Sequence, residues 1–374
     1  MSMKESRLWL IVLCVAVSCI TPLDQDPSGF EPYLVVEGFI TDDFGPHEFN
    51  ITEVTAFTGV TTGGAIIPIE AVVEIVDQDG VRTPIERPNA IRKDLFNALP
   101  EGCVPATNFV EVLGPYQTPA SFRGEIGNTY TLEVRTRGKI YRSTPQTIVP
   151  TPPIDSVIVQ FKELPSTDDI VKPSGLEVLA VFQDPPDERN YYSWEIDGIY
   201  RINTPDRPLV CCLFDPADGG EEVCWIVEDD IKNNEIAFSD ESTNGNLNTV
   251  IVGFIEDDGL RFASNLLPDD KKYYIEVAQY QMDEAAFEFY NNVKTLAEID
   301  GEIFDPLPLS IRGNVFNEAN PDEIVIGHFS AFSVQKKGVF VPESTFEFKQ
   351  VFPNLCGDCR VRAGAQIQTP APFQ

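Results

Sequence analysis

Two cysteines near the C-terminus, Cys356 and Cys359, are separated by two residues. A pair with this spacing can be a redox dithiol, half of a zinc site, or two ends of structural disulfides. The compartment decides between these readings, because thiols stay reduced in the cytosol and form disulfides in exported proteins. The N-terminal sequence therefore bears directly on the chemistry at the other end of the chain.

The first residues indicate export. Residues 1–18 combine a short basic start with an apolar run, 8–17, that is shorter than the roughly 20 residues a membrane-spanning helix needs. The stretch AVSC ends this segment at Cys19 and resembles a bacterial lipobox, with Ala16 in place of the usual leucine. We interpret residues 1–18 as a signal peptide, Cys19 as the lipidated residue and 19–32 as a flexible lipidated tether. The alternative is a plain signal peptide followed by an incidental cysteine.

The remaining cysteines favour disulfide bonds. Removing Cys14 with the signal peptide and Cys19 with the lipid leaves an even number, which in an exported chain is typical of disulfide pairing. The alternative is a zinc site, which needs thiolates that an oxidising compartment disfavours. The disulfide candidates are Cys103, Cys211, Cys212, Cys224, Cys356 and Cys359.

The spacing of these cysteines constrains their pairing. Cys211 and Cys212 are adjacent, so on a strand they point to opposite faces and need different partners. We predict that Cys356 and Cys359 tie the C-terminal segment to the loop that ends at Cys224. The remaining candidate, Cys103, lies in the N-terminal part of the chain. It either forms a disulfide between two domains or leaves an odd number of cysteines for pairing.

Other residue types offer little for catalysis or metal binding. The two histidines, His47 and His328, stand near no nucleophile motif, and sequence alone cannot select a catalytic pair among 59 acidic residues. An EF-hand loop starting at Asp77 would need glutamate at its twelfth position, where Pro88 stands. The acid-rich stretches are more typical of turns. We therefore expect no catalytic residue, no metal ion and no cofactor.

The charge of the chain limits its partners. Lysine and arginine total 27 against 59 aspartates and glutamates, which gives a formal net charge of −32. A field of that sign repels nucleic acid and anionic lipid, so we expect no nucleic-acid partner.

One aromatic stretch is a candidate binding surface. In YYSWEIDGIY, period-two alternation places Tyr192, Trp194 and Ile196 on one strand face, which we predict to be core. Tyr191 lies on the other face, where it is a possible ligand or partner surface.

The elements that must position these residues are mainly β-strands. Residues 33–150 contain short strand-like runs separated by Gly and Asp turns, including YTLEVRT and its hairpin partner, which predicts an immunoglobulin-like β-sandwich. The proline-dense stretch 149–157 is predicted to be an extended joint between domains. Residues 151–374 predict a larger β-rich domain, sandwich or barrel-like, with one amphipathic helix near 283–299.

Several phrases along the chain together resemble a known family. Their order and content are similar to Bacteroidota outer-membrane lipoproteins grouped under "domain of unknown function 4249", over roughly residues 19–365. The resemblance implies an accessory to TonB-dependent receptors and supplies no catalytic residues. The phrases are LVVEGFITDDFGP (34–46), GEIGNTYTLEV (124–134), TPPIDSV (151–157), FQDPPDERNYYSWEIDGIY (182–200), CCLFDPADGGEEVCW (211–225), IRGNVFNEANPDEIVIGHFSAFSVQKK (311–337) and CGDCRVRAGA (356–365).

These observations together give a leading hypothesis. We expect a non-enzymatic, lipid-anchored protein of the outer membrane, exposed at the cell surface, that works with a TonB-dependent transporter in nutrient capture or uptake. The sequence does not name the ligand. The alternatives are an adhesion or envelope-assembly protein, and a hydrolase acting at the surface.

Overall fold

The computed structural model describes most of the chain between Tyr33 and the C-terminus. The described residues are 33–54, 66–88, 91–94, 109–112, 114–163, 174–186, 188–203, 223–228, 237–256, 273–297, 313–342, 345 and 364–374. The predicted signal peptide, Cys19 and the tether lie outside this set, as do all the disulfide candidates except Cys224.

Strands dominate these residues, and the mainly β class with one α-helix is confirmed there. The helix, α1, spans Glu284–Ala297, and two short 3-10 turns span Asp240–Ser242 and Ala371–Phe373. The strands are β1 (Tyr33–Thr41), β2 (Glu48–Val54), β3 (Ile66–Pro68), β4 (Val72–Asp77), β5 (Arg82–Ile85), β6 (Ile91–Asp94), β7 (Phe109–Val112), β8 (Tyr116–Gln117), β9 (Thr129–Thr136), β10 (Lys139–Ser143), β11 (Gln146–Thr147), β12 (Ile154–Glu163), β13 (Ser174–Gln183), β14 (Tyr191–Asn203), β15 (Val223–Glu228), β16 (Phe238–Ser239), β17 (Leu247–Glu256), β18 (Tyr273–Met282), β19 (Val315–Asn317), β20 (Val325–Ile326), β21 (Phe329–Phe340) and β22 (Ala365–Gln366).

The strands form one large sheet and three smaller ones. The large sheet has 11 strands in the order β22-β15-β14-β18-β21-β1-β2-β3, with β16, β20 and β8 paired beside β14, β1 and β2. A six-stranded sheet runs β19-β10-β9-β4-β5 with β11 beside β9, a three-stranded sheet runs β12-β13-β17, and β6 pairs with β7. In the large sheet β1 is parallel to β20 and β21, and its other named pairs are antiparallel.

Strand pairing crosses the predicted domain boundary near residue 150. β1 pairs with β21, and β10 pairs with β19, so strands from both parts of the chain share two sheets. The proline-dense segment that links these two parts of the chain, which we call the proline-rich crossing, is fixed by buried hydrogen bonds. The Thr151 N–H donates to Ser333 Oγ at 2.6 Å, and Gln279 Nε2 donates to the Pro152 carbonyl at 2.8 Å. The proline-rich crossing is therefore held against the large sheet.

Two apolar cores lie on one side of the large sheet. The first lies between the three-stranded sheet and β14, β15 and β18, and contains Tyr192, Trp194 and Ile196, as the alternation predicts. The second lies between the β1–β2 end of the large sheet and the six-stranded sheet. Because these cores use one face of β14 and β18, the opposite face of those strands is left for α1 and for the site described next.

Candidate ligand-binding cleft

Helix α1 covers one end of the second face of the large sheet. Asp283 caps the helix, since its Oδ1 accepts the Ala286 N–H at 2.8 Å. Ala286 is fully buried, and the Phe287 ring packs 4.7 Å from the ring of Tyr191. The three- and four-residue spacing that predicted an amphipathic helix is thus explained by contact with β14 and β18.

Tyr191 lies under this helix. Its side chain is on the face opposite Tyr192, as predicted, but the residue is only 6 % exposed. Its hydroxyl donates to Glu284 Oε1 at 2.9 Å. Tyr191 therefore supports the helix and does not offer a free ring face to solvent.

A cleft opens beside the helix on the same sheet face. Its volume is about 160 Å³, and it is enclosed by strands β1, β14, β18 and β21, by α1 and by the residue before β16. The lining residues are Phe39, Ser193, Trp194, Glu195, Ala237, Tyr280, Met282, Tyr290, Asn291 and Phe332.

Aromatic rings form the apolar part of the cleft. Phe39, Tyr280 and Phe332 contact one another, with ring centroids 5.6 to 6.1 Å apart. They come from three neighbouring strands, whose pairing places these side chains on one face. Rings held by one another in this way present a preformed surface, because little rotamer freedom is left to lose when a ligand binds.

A carboxylate and a phenol form the polar part. The Tyr280 hydroxyl donates to Glu195 Oε2 at 2.6 Å. Burial, together with the charge of Glu195, raises the pKa of Tyr280 well above its usual range. Tyr280 is therefore a permanent hydrogen-bond donor, and it does not serve as a base.

Charged residues continue along the sheet face beyond the cleft. Lys336 pairs with Asp43 at 2.7 Å. Burial lowers the pKa of Lys336, but the hydrogen bond and charge of Asp43, with the charges of Glu276 and Asp197, raise it overall. The approach to the cleft is thus lined by more acidic than basic groups.

Both histidines are buried and neutral. Desolvation lowers the pKa of His328 to about 4, and its ring lies 5.1 Å from Phe289 under α1. Desolvation likewise lowers the pKa of His47 to about 4, and its Nε2 is 2.9 Å from the Thr41 hydroxyl. Neither ring lines the cleft, so neither provides a base there.

The remaining site candidates are placed as follows. Cys224 is fully buried in the core between β15 and the three-stranded sheet, and its predicted partners lie outside the described residues, so the disulfide pairing stays a prediction. Across the part of the chain that the structure describes, no three His, Cys, Asp or Glu side chains gather into a group that could hold a metal ion. Within that part, no helix has the length and apolar character to cross a membrane.

Sequence reasoning missed most of the cleft. Phe39 and Phe332 are distant in sequence and meet through the parallel pairing of β1 with β21, for which no local signal exists. Tyr280 could have been found, because KYYIEVAQY alternates and places it opposite Ser193 once β14 and β18 are known to pair. Tyr290, on the helix that the sequence predicts, also lines the cleft.

Comparisons with known proteins place the chain by family alone. Neither the search of curated proteins nor the search of solved structures found a match. A family model described as "Domain of unknown function (DUF4249)" matches residues 20–338, which cover the cleft, α1 and nearly all of the large sheet. The chain belongs to this DUF4249 family.

Proposed function

We propose that the protein is a non-enzymatic binding protein, anchored by lipid at Cys19 to the outer membrane and exposed at the cell surface. It captures a nutrient and delivers it to a TonB-dependent transporter, in the manner that the resemblance to Bacteroidota lipoproteins implies. The observation that carries the binding role is the aromatic cleft. A concave, mostly apolar site with a few polar groups is the usual form of a small-ligand site.

The chemistry of the cleft supports binding over catalysis. Its carboxylate, Glu195, accepts a hydrogen bond from Tyr280, whose raised pKa keeps the proton in place. A nucleophile such as Ser193 would need an adjacent base, and the buried neutral histidines lie elsewhere. These groups orient a ligand well and move protons poorly.

The anchor and tether support a surface role. The tether predicted from the sequence, residues 19–32, is long enough to reach on the order of 20 Å as a random coil. That distance lets the folded part stay beside the membrane while it reorients toward a transporter.

Metabolic labelling with palmitate tests the anchor: we expect label on the wild type and on Cys14→Ala, and none on Cys19→Ala. Label that survives Cys19→Ala, or fractionation of the wild type with the inner membrane, would contradict the proposal.

The cleft is tested by filling it. Ala237→Phe places a ring in the cleft, and Ala285→Phe adds the same ring at an exposed position of α1. Full-length protein is purified from its own envelope, denatured, and its released small molecules are identified by mass spectrometry. We expect one compound from the wild type and from Ala285→Phe, and its loss from Ala237→Phe. Equal recovery from all three proteins, or no compound from the wild type, would refute the binding role.

An adhesion or assembly role is the second candidate, and an apolar stripe favours it. The outer face of the three-stranded sheet exposes Ile158 (44 %), Ile251 (45 %) and Leu247 (62 %). Adjacent exposed apolar side chains often mark protein contacts. Ile251→Asp distinguishes the two roles, because it leaves ligand recovery intact and removes the protein partner only if the stripe is the interface.

A further inference from the structure

Three aromatic rings of the cleft form a small triangle. The ring centroids are 5.7 Å apart for Phe39 and Tyr280, 5.6 Å for Phe39 and Phe332, and 6.1 Å for Tyr280 and Phe332. The ring planes are inclined to one another by 45° to 70°, so no two of the three rings are stacked face to face. A single group beside this triangle can therefore lie within about 6 Å of all three centroids, the distance at which a cation is attracted to a ring face.

Two further features add negative potential at the rings. Tyr290 of α1 contributes a fourth aromatic side chain to the lining. The Tyr280 hydroxyl donates to Glu195 Oε2 at 2.6 Å, and a phenol that donates to a carboxylate is polarised so that its ring becomes richer in electrons. Because the phenol is itself neutral, this hydrogen bond leaves the negative charge of Glu195 in place beside the rings.

Acidic side chains continue along the same sheet face. Period-two alternation places Glu195 and Asp197 of β14 on the cleft side, and Glu276 of β18 lies opposite Asp197. Asp43 pairs with Lys336 at 2.7 Å, and the charges of Asp197 and Glu276 also act on that lysine. Lys336 balances one of these four negative charges. The field of these residues therefore attracts cations toward the cleft and repels anions.

The lining suits a small, mostly apolar molecule. Among its described residues none is Lys, Arg or His, so these residues offer an anion no counter-charge. Ser193 and Asn291 supply neutral hydrogen-bonding groups. The volume of about 160 Å³ is close to the roughly 150 Å³ of an engineered cavity that holds benzene, so the cleft takes an organic group of about that size.

We propose that the ligand of the cleft, which rests on the binding function proposed above, is a small organic cation with a methylated or protonated amine. Its ammonium group lies against the triangle of Phe39, Tyr280 and Phe332, and the charge of Glu195 attracts it. A methylated ammonium group has no N–H to donate when it is quaternary, so ring faces and charge are what hold it. The neutral part of the molecule is oriented by the hydroxyl and amide groups of the lining.

Isothermal titration calorimetry tests the charge of the ligand. Full-length protein in mild detergent, dialysed to remove bound small molecules, is titrated with choline and with neohexanol, the uncharged analogue in which carbon replaces the nitrogen. The two probes have nearly the same shape, so a difference in affinity reports the charge. We expect choline to bind the wild type at least about tenfold more tightly. Equal affinity for the two probes, or no binding of choline, would overturn the proposal.

Substitutions in the lining test where the cation lies. Glu195→Gln keeps the size of the side chain and removes its charge, so choline should bind at least about fivefold more weakly. Phe332→Leu removes one ring and should weaken choline about two- to fivefold, more than it weakens neohexanol. Glu86→Gln, at an exposed position directly after β5, is the matched control and should bind both probes as the wild type does. If both cleft variants kept the wild-type preference for choline, the cation would bind elsewhere and the proposal would be overturned.

The compound released from protein purified from its own envelope separates the ligand class from the binding function. We expect its mass and fragmentation to show a quaternary or protonated nitrogen at neutral pH. A released compound without such a nitrogen would overturn the organic cation and leave the binding function intact. If no compound were released, the binding function would fail, and the ligand class that rests on it would fail with it.

Discussion

Replacing Gln279 with leucine removes a buried bridge directly beneath the cleft. Gln279 is fully buried; its Oε1 accepts the Trp194 Nε1–H at 2.9 Å, and its Nε2 donates to the Pro152 carbonyl at 2.8 Å. One side chain thus joins a cleft-lining residue to the proline-rich crossing. Leucine has a similar size and can make neither hydrogen bond.

The cost follows from the two groups left behind. A buried donor and a buried acceptor that lose their partner cost about 1–3 kcal/mol each, or about 2–6 kcal/mol together. The added apolar burial of leucine returns about 1 kcal/mol. We therefore expect Gln279→Leu to lower the free energy of unfolding by about 1–5 kcal/mol.

Urea denaturation followed by circular dichroism measures this change. Gln368→Leu is the matched control, because Gln368 is exposed in the C-terminal segment and the substitution should stay within about 0.5 kcal/mol of the wild type. If Gln279→Leu were as stable as this control, the bridge would not hold the crossing and the reasoning would fail.

Three further substitutions test other parts of the structure. The pKa of His328 is about 4 in the folded protein and about 6.5 in the unfolded chain. Its contribution to the free energy of unfolding, up to about 3 kcal/mol, is therefore present above pH 6.5 and is lost as the pH falls toward 4. His328→Gln should flatten the fall of the Tm between pH 6.5 and pH 4. Gly327 has φ +111°, and an added Cβ would lie 1.9 Å from the Val36 carbonyl oxygen, so Gly327→Ala should cost more than about 2 kcal/mol in a urea titration. The Phe373 ring lies 4.2 Å from Trp225, so Phe373→Ala should release the C-terminal segment and shift Trp fluorescence to longer wavelength.

Each of these variants has a matched control. Lys337 is an exposed residue of β21, and its replacement by Gln or Asn should leave the dependence of the Tm on pH unchanged between pH 4 and 6.5. If this control changed the Tm profile as much as His328→Gln does, the profile could not be assigned to His328. Gly138→Ala shares a positive φ, at +74°, but its Cβ would meet nothing within 4 Å, so it should cost less than Gly327→Ala. Phe44→Ala alters a ring that is 68 % exposed and should not move the fluorescence.

Local patterns predicted local structure well. The run YTLEVRT and its partner form the β9–β10 hairpin, and the amphipathic stretch near 283–299 forms α1. The face shared by Tyr192, Trp194 and Ile196 is core, because alternation places these three side chains on the face of β14 that packs against the three-stranded sheet. These features depend on neighbours within a few residues.

Features that depend on distant residues were not predictable. By its apolar pattern alone the run 323–341 predicts one continuous strand, but it forms β20 and β21, which are separated at Gly327 where the chain passes the β1 backbone. Covering of Tyr191 by α1 depends on the β14–β18 pairing and on the turn at Asp283. Asp184 and Asp240, both fully buried, likewise lie on two different loops, after β13 and after β16, so no spacing in the sequence relates them.

Purification from the organism's own envelope, in mild detergent and with identification of bound proteins by mass, tests the proposed function most directly. We predict that the wild type brings down a TonB-dependent β-barrel transporter, and that Cys19→Ala, which lacks the lipid, brings down much less. Recovery of no outer-membrane transporter, or of inner-membrane proteins alone, would contradict the account.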